Sequence, residues 1–118
     1  MAHENLKDRT MDFALRILEV VDSLPASTKG KNVAHQLCRS GTSVGANYRA
    51  ASRAKSAADF IHKMRTVEEE TDEVLFWLEI TVRSKMLPET RLLPLMKEAN
   101  EILAIVVSSI ITAKRNRK

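Results

Sequence analysis

Apolar residues recur at intervals of three and four through nearly the whole chain, and that period fits helices and little else. In Asn5–Ser23 the stripe is Leu6, Phe13, Ile17, Val20 and Val21, with Leu24 just beyond. In Lys29–Ala54 it is Val33, Leu37, Val44, Tyr48 and Ala51, with Gly41 at its edge. Ala57–Lys85 carries Phe60, Met64, Val67, Thr71, Val74, Leu75, Leu78 and Val82. Glu89–Lys114 carries Leu92, Met96, Ala99, Leu103, Val106 and Ile110. Pro25 closes the first segment, and Ser27 or Thr28 is placed to cap the second. Ser56 with Asp59 resembles a capping box, and Pro88 before Glu89 and Thr90 opens the fourth segment. Three glycines and three prolines in 118 residues leave too little turn chemistry for an all-β chain. The expected fold is all-α: one domain, an antiparallel up-down-up-down four-helix bundle.

The stretch RSGTSVGANYRAASRAKS, residues 39–56, has the composition of a loop but keeps a helical period. It lacks the Gly-x-x-x-x-Gly-Lys-Ser/Thr spacing and the preceding strand of a phosphate-binding loop. Gly41 and Gly45 each cost a helix about 1 kcal/mol relative to alanine. Small residues on adjacent turns repay that by letting another helix backbone approach closely. Ser40, Ser43 and Asn47 lie beside the apolar stripe, so with Tyr48 they are expected to form a polar network with Glu70 and Glu73 of the third helix. Arg39, Arg49 and Arg53 fall on the opposite side, with His35.

Little else suggests chemistry. His35 and Cys38 are two ligands and do not make a zinc site, and Asp59–His62 lacks the partner motif of a two-metal bundle. Ser40, Thr42 and Ser43 have no His–acid relay to activate them. No catalytic residue, metal or cofactor is expected, and the chain does not read as an enzyme. Residues 1–13 contain no apolar signal core, and the apolar run at 102–113 is too short to span a bilayer. With Cys38 as the single cysteine, these features predict a cytoplasmic protein that does not enter the membrane.

Charge is distributed in blocks. Residues 29–65 hold eight basic groups against Asp59 alone, and residues 66–82 hold six acidic groups and no basic ones. Such blocks either neutralise one another or meet an external polyanion. The candidates for phosphate contact are Arg39, Arg49, Arg53, Lys55, Lys63 and Arg65, with Lys114, Arg115, Arg117 and Lys118 of the closing basic run. Trp77 and Ile80 lie off the third stripe, and Leu95, Ile102, Val107 and Ile111 widen the fourth beyond what one core needs. These six are the candidate oligomer contacts, and self-association is expected.

The run QLCRSGTSVGANYRAASRAKSAADFIHKM followed by EEETDEVLFWLEI resembles the 23S ribosomal RNA intervening-sequence proteins. The matching positions are Arg39, Ser43, Gly45, Asn47, Tyr48, Arg49, Phe60, Lys63, Glu70, Glu73, Trp77 and Leu78. One departure is Ala50, where that family usually places an acidic residue after Asn-Tyr-Arg. The resemblance implies a four-helix bundle that assembles into a homopentamer, with a biochemical role largely undefined. It also implies a relationship to the accessory proteins of diversity-generating retroelements, basic pentamers that bind nucleic acid and a reverse transcriptase. The functional expectation is a non-enzymatic oligomer binding structured RNA or DNA through its basic helix faces. The alternative is a protein-interaction scaffold whose basic block is neutralised by acidic helix surface.

Overall fold

The computed structural model describes residues 6–117. It has four helices: α1 (Leu6–Ser23), α2 (Thr28–Ala51), α3 (Ala57–Arg83) and α4 (Glu89–Asn116). Each packs on its neighbour in sequence, and α1 meets α4 over a shorter stretch to close the bundle. The antiparallel up-down arrangement measures 51 × 24 × 21 Å.

Side chains place the ends. Ser27 accepts the Gly30 N–H at 3.1 Å to cap α2, and Ser56 accepts the Asp59 N–H at 3.1 Å to cap α3. Asp59 reaches back to the Lys55 N–H at 3.1 Å, one residue before the cap, giving a displaced form of the expected capping box. That reciprocal pair starts α3 firmly. α2 ends at Ala51 instead of the expected Ala54. Residues 53 and 54 turn tightly, their N–H groups bonding back three residues to Ala50 and Ala51. α3 ends at Arg83 instead of Lys85, in a Schellman motif: Met86 N–H bonds Thr81 C=O and Lys85 N–H bonds Val82 C=O. Lys85 holds the left-handed position of that motif, at φ 62°.

The core runs the length of the bundle, from Leu6, Phe13 and Ile17 through Leu37, Val44, Met64 and Val74 to Leu92, Ile102 and Val106. Its four buried hydroxyls stay within their own helices. Thr10 donates to Lys7 C=O, Ser40 to Gln36 C=O, Thr71 to Val67 C=O and Thr81 to Trp77 C=O. Each is satisfied without linking two helices.

Two expectations about α4 and the polar residues of α2 are corrected here. Leu95 and Ile102, expected as oligomer contacts, are buried in the protomer's own core, while Met96 and Leu103 of the expected stripe are only half-buried. The apolar arc of α4 is so wide that its period is satisfied by either choice. The network expected from Ser40, Ser43, Asn47 and Tyr48 to Glu70 and Glu73 is replaced by bonds inside α2. Ser40 bonds Gln36 C=O, and Asn47 Nδ2 donates to Ser43 C=O at 2.9 Å. Tyr48 packs half-buried against the core.

The two glycines serve the close approach expected of them. A β-carbon on Gly41 would stand 2.7 Å from Ile17 Cγ2, and one on Gly45 would stand 3.3 Å from the Thr10 carbonyl oxygen. Both therefore lie in the α1–α2 seam.

Candidate nucleic-acid interface

The expected phosphate-contacting residues separate into distinct groups once the helices are antiparallel. Arg39 lies mid-bundle and is taken up by its own chain. Its guanidinium donates to Glu70 at 3.2 Å and also to Glu73, on the neighbouring α3. Trp77, one turn further, donates its indole N–H to the same Glu73 carboxylate at 3.2 Å. Arg39 first, and Trp77 after it, hold the Glu73 carboxyl below the usual carboxylate range. Glu70 and Glu73 thus belong to an inter-helix polar cluster whose cation is Arg39, and Arg39 is corrected from an open phosphate contact to an ion-paired tie between α2 and α3.

Lys63 is likewise engaged. Its ammonium lies 2.7 and 2.8 Å from the two Asp59 carboxylate oxygens, one turn before it. That contact, with the Lys55 N–H second, keeps the Asp59 carboxyl below its ordinary value. Arg65 is exposed but shares a shallow cleft with Glu68, Glu69, Asp72 and Leu103, so its field is offset by three carboxylates. Arg49 stands apart on the outer side of α2, beside Lys7 at one end of a groove between α1 and α2.

The remaining cations converge. The up-down topology brings the α2–α3 turn and the last turn of α4 to the same end of the bundle, and Phe60 and Ala113 line one depression there. At that end Arg53 and Lys55 occupy the turn, Lys114 and Arg115 the last turn of α4, and Arg117 its C-cap. All five are exposed and form no ion pair among the described residues. Lys118 lies outside the described residues. Five exposed cations at the tip of a narrow rod make a field that attracts phosphates. Among the described residues at this tip the one Phe, Tyr or Trp is Phe60, which is half-buried.

Of the other expected oligomer contacts, Trp77 and Ile80 are half-buried against the protomer core, Val107 is half-buried and Ile111 is half-exposed. Trp77 packs edge-on against Phe76, ring centres 5.1 Å apart. Apolar exposures comparable to that of Ile111 lie off the expected stripes: Met11 and Leu15 on α1, Phe76 on α3 and Leu93 on α4. With Leu18, Met11 and Leu15 form their own i, i+4, i+7 row, a second helical stripe legible in α1. Among the described residues no three of His, Cys, Asp and Glu gather as a metal site, and no helix is long and apolar enough to cross a membrane.

Comparison with known proteins follows this architecture. The family model described as 23S rRNA-intervening sequence protein matches residues 4–108. A crystal structure of a protein of unknown function from the S23 ribosomal protein family of Bacteroides thetaiotaomicron aligns with a TM-score of 0.86 and 34% identity. That alignment covers 93% of this chain and 98% of the other. A search of curated proteins finds no match.

Proposed function

Since the chain belongs to the 23S rRNA-intervening sequence protein family, we propose that it is a self-assembling, non-enzymatic bundle that holds structured RNA or DNA by its phosphates. The observation that carries this reading is the basic tip: Arg53, Lys55, Lys114, Arg115 and Arg117, exposed and without carboxylate partners among the described residues. Three of the five lie beyond the residues that the family model matches. In a cyclic assembly every copy presents the same end to the same side, so the tips form one basic rim. A homopentamer, the assembly implied by the resemblance, multiplies the five cations of one tip fivefold.

The experiment is a titration of a structured RNA and a DNA duplex, followed by fluorescence anisotropy at 50 and 200 mM salt. Five phosphate contacts per copy on duplex DNA give an affinity loss on the order of several hundredfold between those salts. Absence of binding to both at 50 mM overturns the reading. The scaffold alternative draws its support from the exposed apolar row of α1, which a phosphate-binding tip does not explain.

A further inference from the structure

The α1–α2 groove and the outer face of α3 complement each other in shape, charge and spacing. The groove encloses about 250 Å³ and is walled by Met11, Leu15 and Leu18. On its α2 side Gly45 and Ala46 carry almost no side chain, leaving a low stretch between Thr42 and Arg49. Met11 is 47% exposed and Leu15 53%. Lys7 and Arg49 stand together at one end, because α1 and α2 are antiparallel and Gly45 lies against Thr10. Neither forms an ion pair among the described residues.

Diagonally across the bundle, α3 turns outward a face with one large apolar residue, Phe76, at 55% exposure. Asp72 and Glu69 precede it by one and two turns, both exposed and without an ion pair among the described residues. α1 and α3 do not touch within one copy, so both faces are open at once.

We propose that the α1–α2 groove of one copy receives the outer face of α3 from a second copy, Phe76 entering beside Leu15 while Glu69 and Asp72 meet Lys7 and Arg49. This rests on the reading that the chain assembles with itself, and it names the surfaces by which it does so. The register supports it. Seven residues separate Phe76 from Glu69 and eight separate Leu15 from Lys7, rises of about 10 and 12 Å along their helices. With the aromatic ring at Leu15, the carboxylates therefore arrive at the cationic end. That alignment sets α3 of the second copy parallel to α1 of the first. Since α1 and α3 already run parallel within a copy, neighbouring copies point the same way. Different faces meet in each contact, so the pairing is head-to-tail and propagates around a ring.

The test uses the full chain with Cys38→Ala, carrying Leu15→Cys in one preparation and Phe76→Cys in another. Both positions are exposed, so the bundle tolerates them, and circular dichroism checks this. The mixed preparations are treated with a short bis-maleimide, and the assembly mass is measured in parallel. The expected result is a cross-link joining a Leu15→Cys chain to a Phe76→Cys chain. An assembly of normal mass that gives no such cross-link, or cross-links only Leu15→Cys chains to one another, overturns the proposed surfaces and leaves self-assembly standing. A monomer at all concentrations tested overturns both. A charge exchange is the independent measurement. Arg49→Asp and Asp72→Arg each weaken assembly about tenfold, and the doubly substituted chain regains it; failure of that rescue counts against the pairing.

Discussion

Gly41 and Ile17 approach so closely across the α1–α2 seam that a β-carbon on the glycine would lie within 3.0 Å of three atoms of the isoleucine. Ile17 is fully buried and branched at its own β-carbon, so its atoms cannot swing aside. Overpacking of this kind costs about 1–3 kcal/mol, while alanine returns about 1 kcal/mol of helix propensity. Gly41→Ala is therefore expected to lower the melting temperature by several degrees. At Gly45 the nearest atom is 3.3 Å away, and a shift of a few tenths of an ångström accommodates the methyl group. Gly45→Ala is expected to be neutral or slightly stabilising. Thermal unfolding of the two variants at equal protein concentration separates them, and equal losses at both sites would contradict the packing argument.

The end of α3 offers the opposite case, a non-glycine residue where glycine fits better. Lys85 sits at φ 62°, a left-handed conformation that costs an L-residue about 1–2 kcal/mol. Glycine relieves that strain and gives back part of the gain by loosening the unfolded chain. Lys85→Gly is expected to stabilise the protein by about 0.5–1 kcal/mol, read as a raised midpoint in urea with an unchanged slope.

How far the sequence revealed this bundle differs from element to element. Helix starts were legible because Ser27 and Ser56 are side-chain caps that act over three residues. The end of α2 was not, since Ala51 to Ala54 carry no glycine or proline to stop a helix, and the chain leaves it through a tight turn at Arg53 and Ala54. The glycine seam was legible in kind, because two glycines one turn apart in a helix imply a close neighbour. That the neighbour is α1 depends on tertiary contact. For α4, Leu95 and Ile102 could not be separated from Met96 and Leu103, because apolar residues occupy adjacent positions on a wide arc. Among the cations, the block pattern signalled that basic and acidic surface meet. Only the offset between α2 and α3 selects Arg39 as the residue that pairs and leaves Arg53 and Lys55 open.

The Arg39–Glu73 contact has a pH signature. The Glu73 carboxyl is held low in the folded state, chiefly by Arg39, so its contribution is complete above the carboxyl's unfolded pKa and is lost as pH falls through the folded one. Unfolded glutamate titrates near pH 4.3, so the contribution is full above about pH 5.5. The melting temperature of the parent should exceed that of Glu73→Gln by a few degrees between about pH 5.5 and 7. The gap should narrow as pH falls below the unfolded value and through the lowered folded one, where the Glu73 carboxyl takes up its proton. A gap that stays constant over that range would show that Glu73 acts through packing and not through its charge.

The same contact separates stability from the proposed phosphate binding. Arg39 spends its donors on Glu70 and Glu73, whereas Arg53 and Lys55 lie in an exposed turn with no carboxylate partner among the described residues. Removing Arg39 frees two carboxylates and takes away an inter-helix tie, so Arg39→Gln should lower thermal stability. With its donors held by Glu70 and Glu73, Arg39 is not expected to reach a phosphate, so the salt dependence of any duplex binding should stay as it is. Arg53→Gln and Lys55→Gln should do the reverse. Each leaves the melting temperature close to the parent's, because neither side chain is packed or paired. Each also flattens the slope of log K against log salt by about 0.9 for one lost phosphate contact on B-DNA. The effect should hold across unrelated sequences, since a phosphate contact carries no base information. A slope that flattens in Arg39→Gln and stays put in Arg53→Gln would move the interface from the tip of the bundle to the side of α2.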